Sequence, residues 1–164
     1  VTKTLLAGIA LLAAALGLTT LAKASDDATT AAATTQQWTL NLDKSDYSKM
    51  PLLKPKSVLL SVNQQGDKLS WTYAGQAQDG KSFKWTFDGA IDGKPYPVNG
   101  SEPPLTMTYN RDENGQLNST WTDGHHTSTG AISVSGDGKV LTINNSTKDE
   151  DGNVVTWIEV YDLK

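Results

Sequence analysis

The stretch LSWTYAGQAQDGKSFKWTF, residues 69–87, decides how the chain reads. Leu69, Trp71 and Tyr73 alternate with Ser70, Thr72 and Ala74. Phe83, Trp85 and Phe87 alternate with Ser82, Lys84 and Thr86. A period of two puts one set of side chains on one face of a strand, whereas a helix would need a period near 3.6. Between the runs Asp79-Gly80 supplies a residue pair that turns tightly. The segment reads as a hairpin with one aromatic face.

The same grammar extends in both directions. Val58, Leu60 and Val62 alternate upstream; Leu105, Met107 and Tyr109, then Leu117 and Trp121, alternate downstream. Turn signals separate the runs at Gln65-Gly66-Asp67, Asp92-Gly93, Asn114-Gly115, Asp123-Gly124, Asp137-Gly138 and Asp151-Gly152. Asn-Gly and Asp-Gly suit the type I′ turns of two-residue hairpins. About nine strands are predicted, near 37–42, 56–63, 68–75, 81–91, 105–111, 116–122, 127–134, 139–145 and 153–162, with no helical periodicity after residue 36. The fold class is all-β, an antiparallel up-and-down meander. Open edges invite pairing with other chains, so closure into a barrel is expected, with a β-sandwich as the alternative.

One segment breaks the pattern. In DGKPYPVNG, residues 92–100, Pro95 and Pro97 flank Tyr96. Residues two apart in an extended chain point their N–H groups the same way, so one edge of this segment has no donors. A central strand is not expected there. Pro95, Tyr96 and Pro97 are read either as edge protection or as a gap beside a cavity mouth.

The N-terminus reads as a targeting segment. Lys3 precedes an apolar run from Leu5 to Leu18, and Ala22-Lys23-Ala24 presents small residues where a signal peptidase reads them. Residues 1–24 are expected to be a signal peptide cut after Ala24, with no integral membrane anchor left after cleavage and a periplasmic or secreted destination. Residues 25–36, small and polar, are expected to be a disordered linker. Residues 37–164 are expected to form a single β-barrel domain. The chain has no Cys, so disulfides are excluded. Cleavage would take Lys3 and Lys23 from the 14 basic residues and leave all 18 acidic ones, a balance that argues against nucleic acid as a partner.

Several strings resemble an uncharacterised family of small exported bacterial proteins. They are Trp38-Thr39-Leu40-Asn41, Lys44-Ser45-Asp46-Tyr47, Pro55-Lys56-Ser57, Asp92-Gly93-Lys94-Pro95-Tyr96-Pro97-Val98-Asn99-Gly100, Ser135 to Thr142, and Val160-Tyr161. The Asp-Gly-Lys-x-Tyr-Pro-Val-x-Gly string is the most specific of them. In architecture the chain is similar to lipocalins and fatty-acid-binding proteins. The resemblance implies a barrel and no particular activity.

Catalytic patterns are scarce. There is no Cys nucleophile, no Gly-x-Ser-x-Gly elbow and no His-Glu-x-x-His, so no enzyme activity, cofactor or metal is expected. His125-His126 follow a turn, and adjacent strand residues point to opposite faces. Asn110 to Gly115 and Thr147 to Gly152 resemble half of a calcium loop but lack its bidentate Glu. Asp88 and Glu159 stand out because each ends an apolar run. The strongest signal is Trp71, Tyr73, Trp85, Phe87, Tyr109 and Trp121, which share the apolar faces of four successive strands. They form either an ordinary core or the wall of a site for a small apolar or amphipathic ligand. Binding without catalysis is the leading expectation. A structural or protein-interaction module of the cell envelope, with a packed core, is the rival.

If the leader is cleaved as expected, the mass of protein recovered from the periplasm or medium begins at Ser25. A mature chain that keeps Leu5 to Leu18 refutes the cleavage.

Overall fold

A computed structural model describes residues 35–164. The expected signal peptide, and the linker up to residue 34, lie outside the described residues. Ten strands follow one another: β1 (Thr35–Leu40), β2 (Ser57–Gln65), β3 (Lys68–Gln76), β4 (Ser82–Ala90), β5 (Pro95–Asn99), β6 (Leu105–Arg111), β7 (Leu117–Thr122), β8 (Thr127–Val134), β9 (Val140–Lys148) and β10 (Val154–Leu163). Each pairs antiparallel with its sequence neighbours, and β1 pairs with β10, so the sheet closes into a barrel. The sandwich alternative is thereby set aside. Strand β1 begins at Thr35, so the last two residues of the expected linker belong to the sheet.

Alternation and burial agree. In β2 and β3 the pattern of buried residues repeats every second position: Val58, Leu60 and Val62, then Leu69, Trp71 and Tyr73. Inward side chains from all ten strands share one closed space, so a period of two suffices to make a core. Outward positions of β7 and β8 carry Thr120, Thr122, Thr127 and Thr129, which face solvent at little cost and suit strands.

The segment around Pro95 corrects the expectation. Pro95–Asn99 is a strand, β5, with a neighbour on each side. It pairs with β6 from Pro95↔Thr108 to Val98↔Leu105, but with β4 only at Thr86↔Asn99 and Phe87↔Val98. Pairing with β6 requires Tyr96 and Val98 to donate on that side. The prolines therefore turn their donorless positions toward β4. Residues Asp88 to Ala90 of β4 pair with β3 and not with β5. The prolines do remove donors from one edge, but a central strand forms there all the same, because β5 pairs along its length with β6 and at two positions with β4.

Tyr96 occupies that interruption. Its ring meets the Phe87 ring edge-on at 6.0 Å, and its hydroxyl donates to Asp92 Oδ2 at 3.0 Å. A Cβ at Gly89 would lie 2.7 Å from both the Tyr96 and Phe87 rings, so glycine is needed for Tyr96 to lie down there.

The turns also differ in type. A type I′ turn needs positive φ at both central residues, yet no non-glycine residue has positive φ among the described residues. In the turns at 77–81, 112–116 and 149–153, the glycine N–H bonds the carbonyl three residues back. The residue at the turn start then donates across to the residue after the glycine. These are type I turns closed by a left-handed glycine, at φ 86° for Gly80, 78° for Gly115 and 83° for Gly152. Acidic side chains hold them: Asp112 Oδ1 accepts from the N–H groups of Asn114 and Gln116, and Asp149 Oδ1 from those of Asp151 and Asn153. Both calcium-like stretches are thus hairpin turns.

The long connection is that between β1 and β2. It runs alongside β10, with Asn41 and Asp46 bonding the backbone of Val160 and Ile158. A single 3-10 turn, Pro51–Leu53, follows, and Tyr47 and Leu53 fold back into the core at that end of the barrel.

Replacing Gly115 or Gly138 by Val forces a β-branched residue to φ near 78° or 71°. A loss of roughly 1–3 kcal/mol is expected at each, read as a lowered denaturation midpoint. Unchanged midpoints in both variants refute the turn assignment.

Candidate functional site

The barrel interior is where the expected residues meet. Trp71, Tyr73, Phe87, Tyr109 and Trp121 are buried, and Trp85 is half-buried. Register explains the grouping: Tyr73 lies opposite Trp85, and Trp71 opposite Phe87. Tyr73 and Trp85 stack at 5.8 Å, joined by Phe83. Trp71 and Phe87 stack at 5.5 Å, and Phe87 meets Tyr109 edge-on at 5.2 Å. The Trp71 indole N–H donates to the Tyr109 hydroxyl at 3.0 Å. Trp121 sits one strand farther on, in register with Met107 and Ser128. The rings thus form two packed groups, Tyr73–Phe83–Trp85 and Trp71–Phe87–Tyr109, with Trp121 beyond them.

The second half of the interior escaped the sequence reading except for one residue. Asp88 faces outward and is exposed, whereas Glu159 on β10 points inward at 1% exposure. Three donors converge on its carboxyl. Tyr47 from the β1–β2 connection donates to Oε1 at 3.3 Å, Trp157 Nε1 to the same oxygen at 3.3 Å, and Tyr161 to Oε2 at 2.9 Å. Tyr73 adjoins this group through Tyr161. Trp157, Glu159 and Tyr161 share one face of β10 by their spacing of two. Tyr47 arrives from 112 residues away in sequence, which no local pattern could reveal.

Burial pushes the Glu159 carboxyl up to about 7, against the three hydrogen bonds, which pull it down. Burial also holds the Tyr47, Tyr73 and Tyr161 hydroxyls far above their usual range, with the Glu159 charge adding to the effect. All three stay neutral donors near neutral pH.

Other buried polar atoms have no such partners. The indole N–H groups of Trp38 and Trp121 and the side-chain carbonyl of Asn145 are buried without a hydrogen bond. On one side of Asn145 the inward row is small, with Gly130 opposite it on β8 and Ser119 opposite Gly130 on β7; on the other side Trp157 lies opposite it on β10. The interior therefore combines an aromatic wall on β3, β4, β6 and β7, a carboxyl held by Tyr and Trp, and a small-residue zone with unpaired polar atoms.

Outside the barrel, a groove of about 370 Å³ runs over Ser61, Asn63, Ser70, Thr72, Thr86 and Asp88. It is shallow and polar. The His126 ring lies 3.3 Å from Asp123, and no three potential metal ligands cluster among the described residues. The chain matches no protein-family model and no curated protein.

Glu159 makes stability fall with rising pH. Its folded-state value lies above its ordinary 4.5, so the protonated form is favoured in the fold. That contribution is present in full below pH 4.5 and is lost as pH rises to about 7. Its size is about 3 kcal/mol. Denaturant melts at pH 4.5, 6 and 8 are expected to show this fall in the native protein and a flatter profile in Glu159→Gln. Equal profiles in the two proteins refute the assignment.

Proposed function

We propose that this protein is an exported, non-catalytic barrel that binds a small apolar or amphipathic molecule in its interior. The observation that carries the reading is the set of buried polar atoms without protein partners, at Trp38, Gln64, Trp121 and Asn145, together with a buried carboxyl on β10. A buried polar group without a hydrogen bond costs free energy, and a barrel built only for stability would be better filled by apolar side chains. The aromatic wall supplies the apolar contact. The interrupted β4–β5 pairing, with Tyr96 lying across it, offers a route inward that breaks no sheet hydrogen bonds. The leader sequence and the resemblance to small exported proteins support a periplasmic or secreted location.

A packed structural module is the second reading. The ring-to-ring contacts of the wall favour it, because side chains that already fill one another's contacts leave less for a ligand. Leu52 and Val154, both strongly exposed, would serve a partner surface.

The test is titration with a neutral apolar fluorophore, followed by its emission and by tryptophan quenching, together with the shift in Tm that binding produces. Binding at micromolar concentration is expected, with Trp85→Ala weakening it about tenfold, equivalent to about 1.4 kcal/mol, and the surface change Lys148→Ala leaving it intact. No saturable binding, or equal losses in the two variants, refutes the interior site.

A further inference from the structure

We infer that the ligand carries an amine head, held as a cation between Glu159 and Asn145 within the ring of Tyr47, Tyr73, Trp157 and Tyr161. This rests on the interior-binding reading above and names the chemistry of its ligand. Three observations bear on it.

The first is the sign of the interior. Glu159 is the one ionisable acid or base among the buried polar residues described; the others are Ser101, Ser119, Ser128 and Asn145. No buried Lys or Arg stands among the described residues to meet an acidic head. Arg111 is exposed and bonds the Gly115 carbonyl. A fatty acid placed here would bring a second carboxylate beside Glu159 in an apolar space, which is strongly unfavourable. An ammonium would neutralise it.

The second is the count of acceptors. A carboxylate offers about four lone-pair positions, and three donors reach Glu159. The Asn145 carbonyl, 2% exposed, has no donor at all. Asn145 pairs with Trp157, and Ile143 with Glu159, so Asn145 and Glu159 are diagonal neighbours on the inward face. Diagonal neighbours lie roughly 7 Å apart at the backbone, close enough for both side chains to reach one ammonium. Charge-assisted hydrogen bonds of this kind are about twice as strong as neutral ones.

The third is the surroundings. Tyr47, Trp157 and Tyr161 turn their polar edges to the carboxyl, which is 1% exposed, so its charge meets little screening by water. On the side of Asn145 away from Glu159 the inward row is small, Gly130 and then Ser119.

The experiment compares dodecylamine, dodecanol and dodecanoic acid by tryptophan quenching at pH 8, each below its micelle-forming concentration. The amine is expected to bind at least about tenfold more tightly than the alcohol, and the acid more weakly than either. In Glu159→Gln the amine should fall to within about threefold of the alcohol. The unaltered protein supplies a second readout. The groups that face Glu159 are Tyr47 from the connection, Tyr73 from β3 and Tyr161 from β10, and all stay neutral, so the carboxyl alone titrates. Amine affinity should drop about tenfold or more between pH 8 and pH 5.5, with no matching change for the alcohol. Equal binding of all three probes, or tightest binding of the acid, overturns the amine site and leaves interior binding standing. Binding of none of the three overturns the underlying reading as well.

Discussion

The closure of β1 against β10 is the contact on which the rest depends. It is short, running from Trp38↔Leu163 to Leu40↔Tyr161, and the connection beyond β1 continues it through Asn41 and Asp46. Until that seam forms, Trp38, Trp157, Glu159 and Tyr161 sit on the face of an open sheet. Closure encloses them together and removes the last free edges. It also delivers Tyr47 to the carboxyl, because the segment that extends the seam is the one that carries this tyrosine inward. The seam brings together residues from the two ends of the domain, so it carries the largest loop-closure cost in the fold.

Closure also sets up a tension inside the barrel. An all-apolar interior would be simpler to stabilise, and most of the inward positions are apolar. Yet a carboxyl and other polar groups share the space, and the Asn145 carbonyl and the indole N–H groups of Trp38 and Trp121 have no protein partner there. Glu159 is tolerated because three donors meet it, and because it can hold its proton when nothing of opposite charge is near.

The β4–β5 interruption follows from two prolines. Pairing with β6 consumes the donors of Tyr96 and Val98, and nothing remains to reach β4 opposite Pro95 and Pro97. Tyr96 then covers the opening, resting on Phe87 in a place that the absence of a side chain at Gly89 provides. The motif around it is accounted for by this geometry: Asp92 anchors both the Lys94 N–H and the Tyr96 hydroxyl.

Much of the fold was legible because a strand's two faces are written in its own residues. Alternation around Trp71 and Phe87 named the inner wall, and the glycine turns named the connections. The type of those turns was not legible, since Asn-Gly and Asp-Gly serve both I′ turns and type I turns ended by a left-handed glycine; only backbone φ separates them. Strand β5 was misjudged because proline removes donors from one edge, and which neighbour lies on that edge is a property of the assembled sheet. Glu159 could be suspected from its place between Trp157 and Tyr161. Its meeting with Tyr47, its burial and the unpaired carbonyl of Asn145 could not, because they join segments far apart in the chain. The sequence by itself determined nine of the ten strands, their inward faces and the aromatic wall, through a period that each of those strands carries locally. Only the tertiary structure decided that the faces enclose a carboxyl, since burial depends on which distant strands close over it.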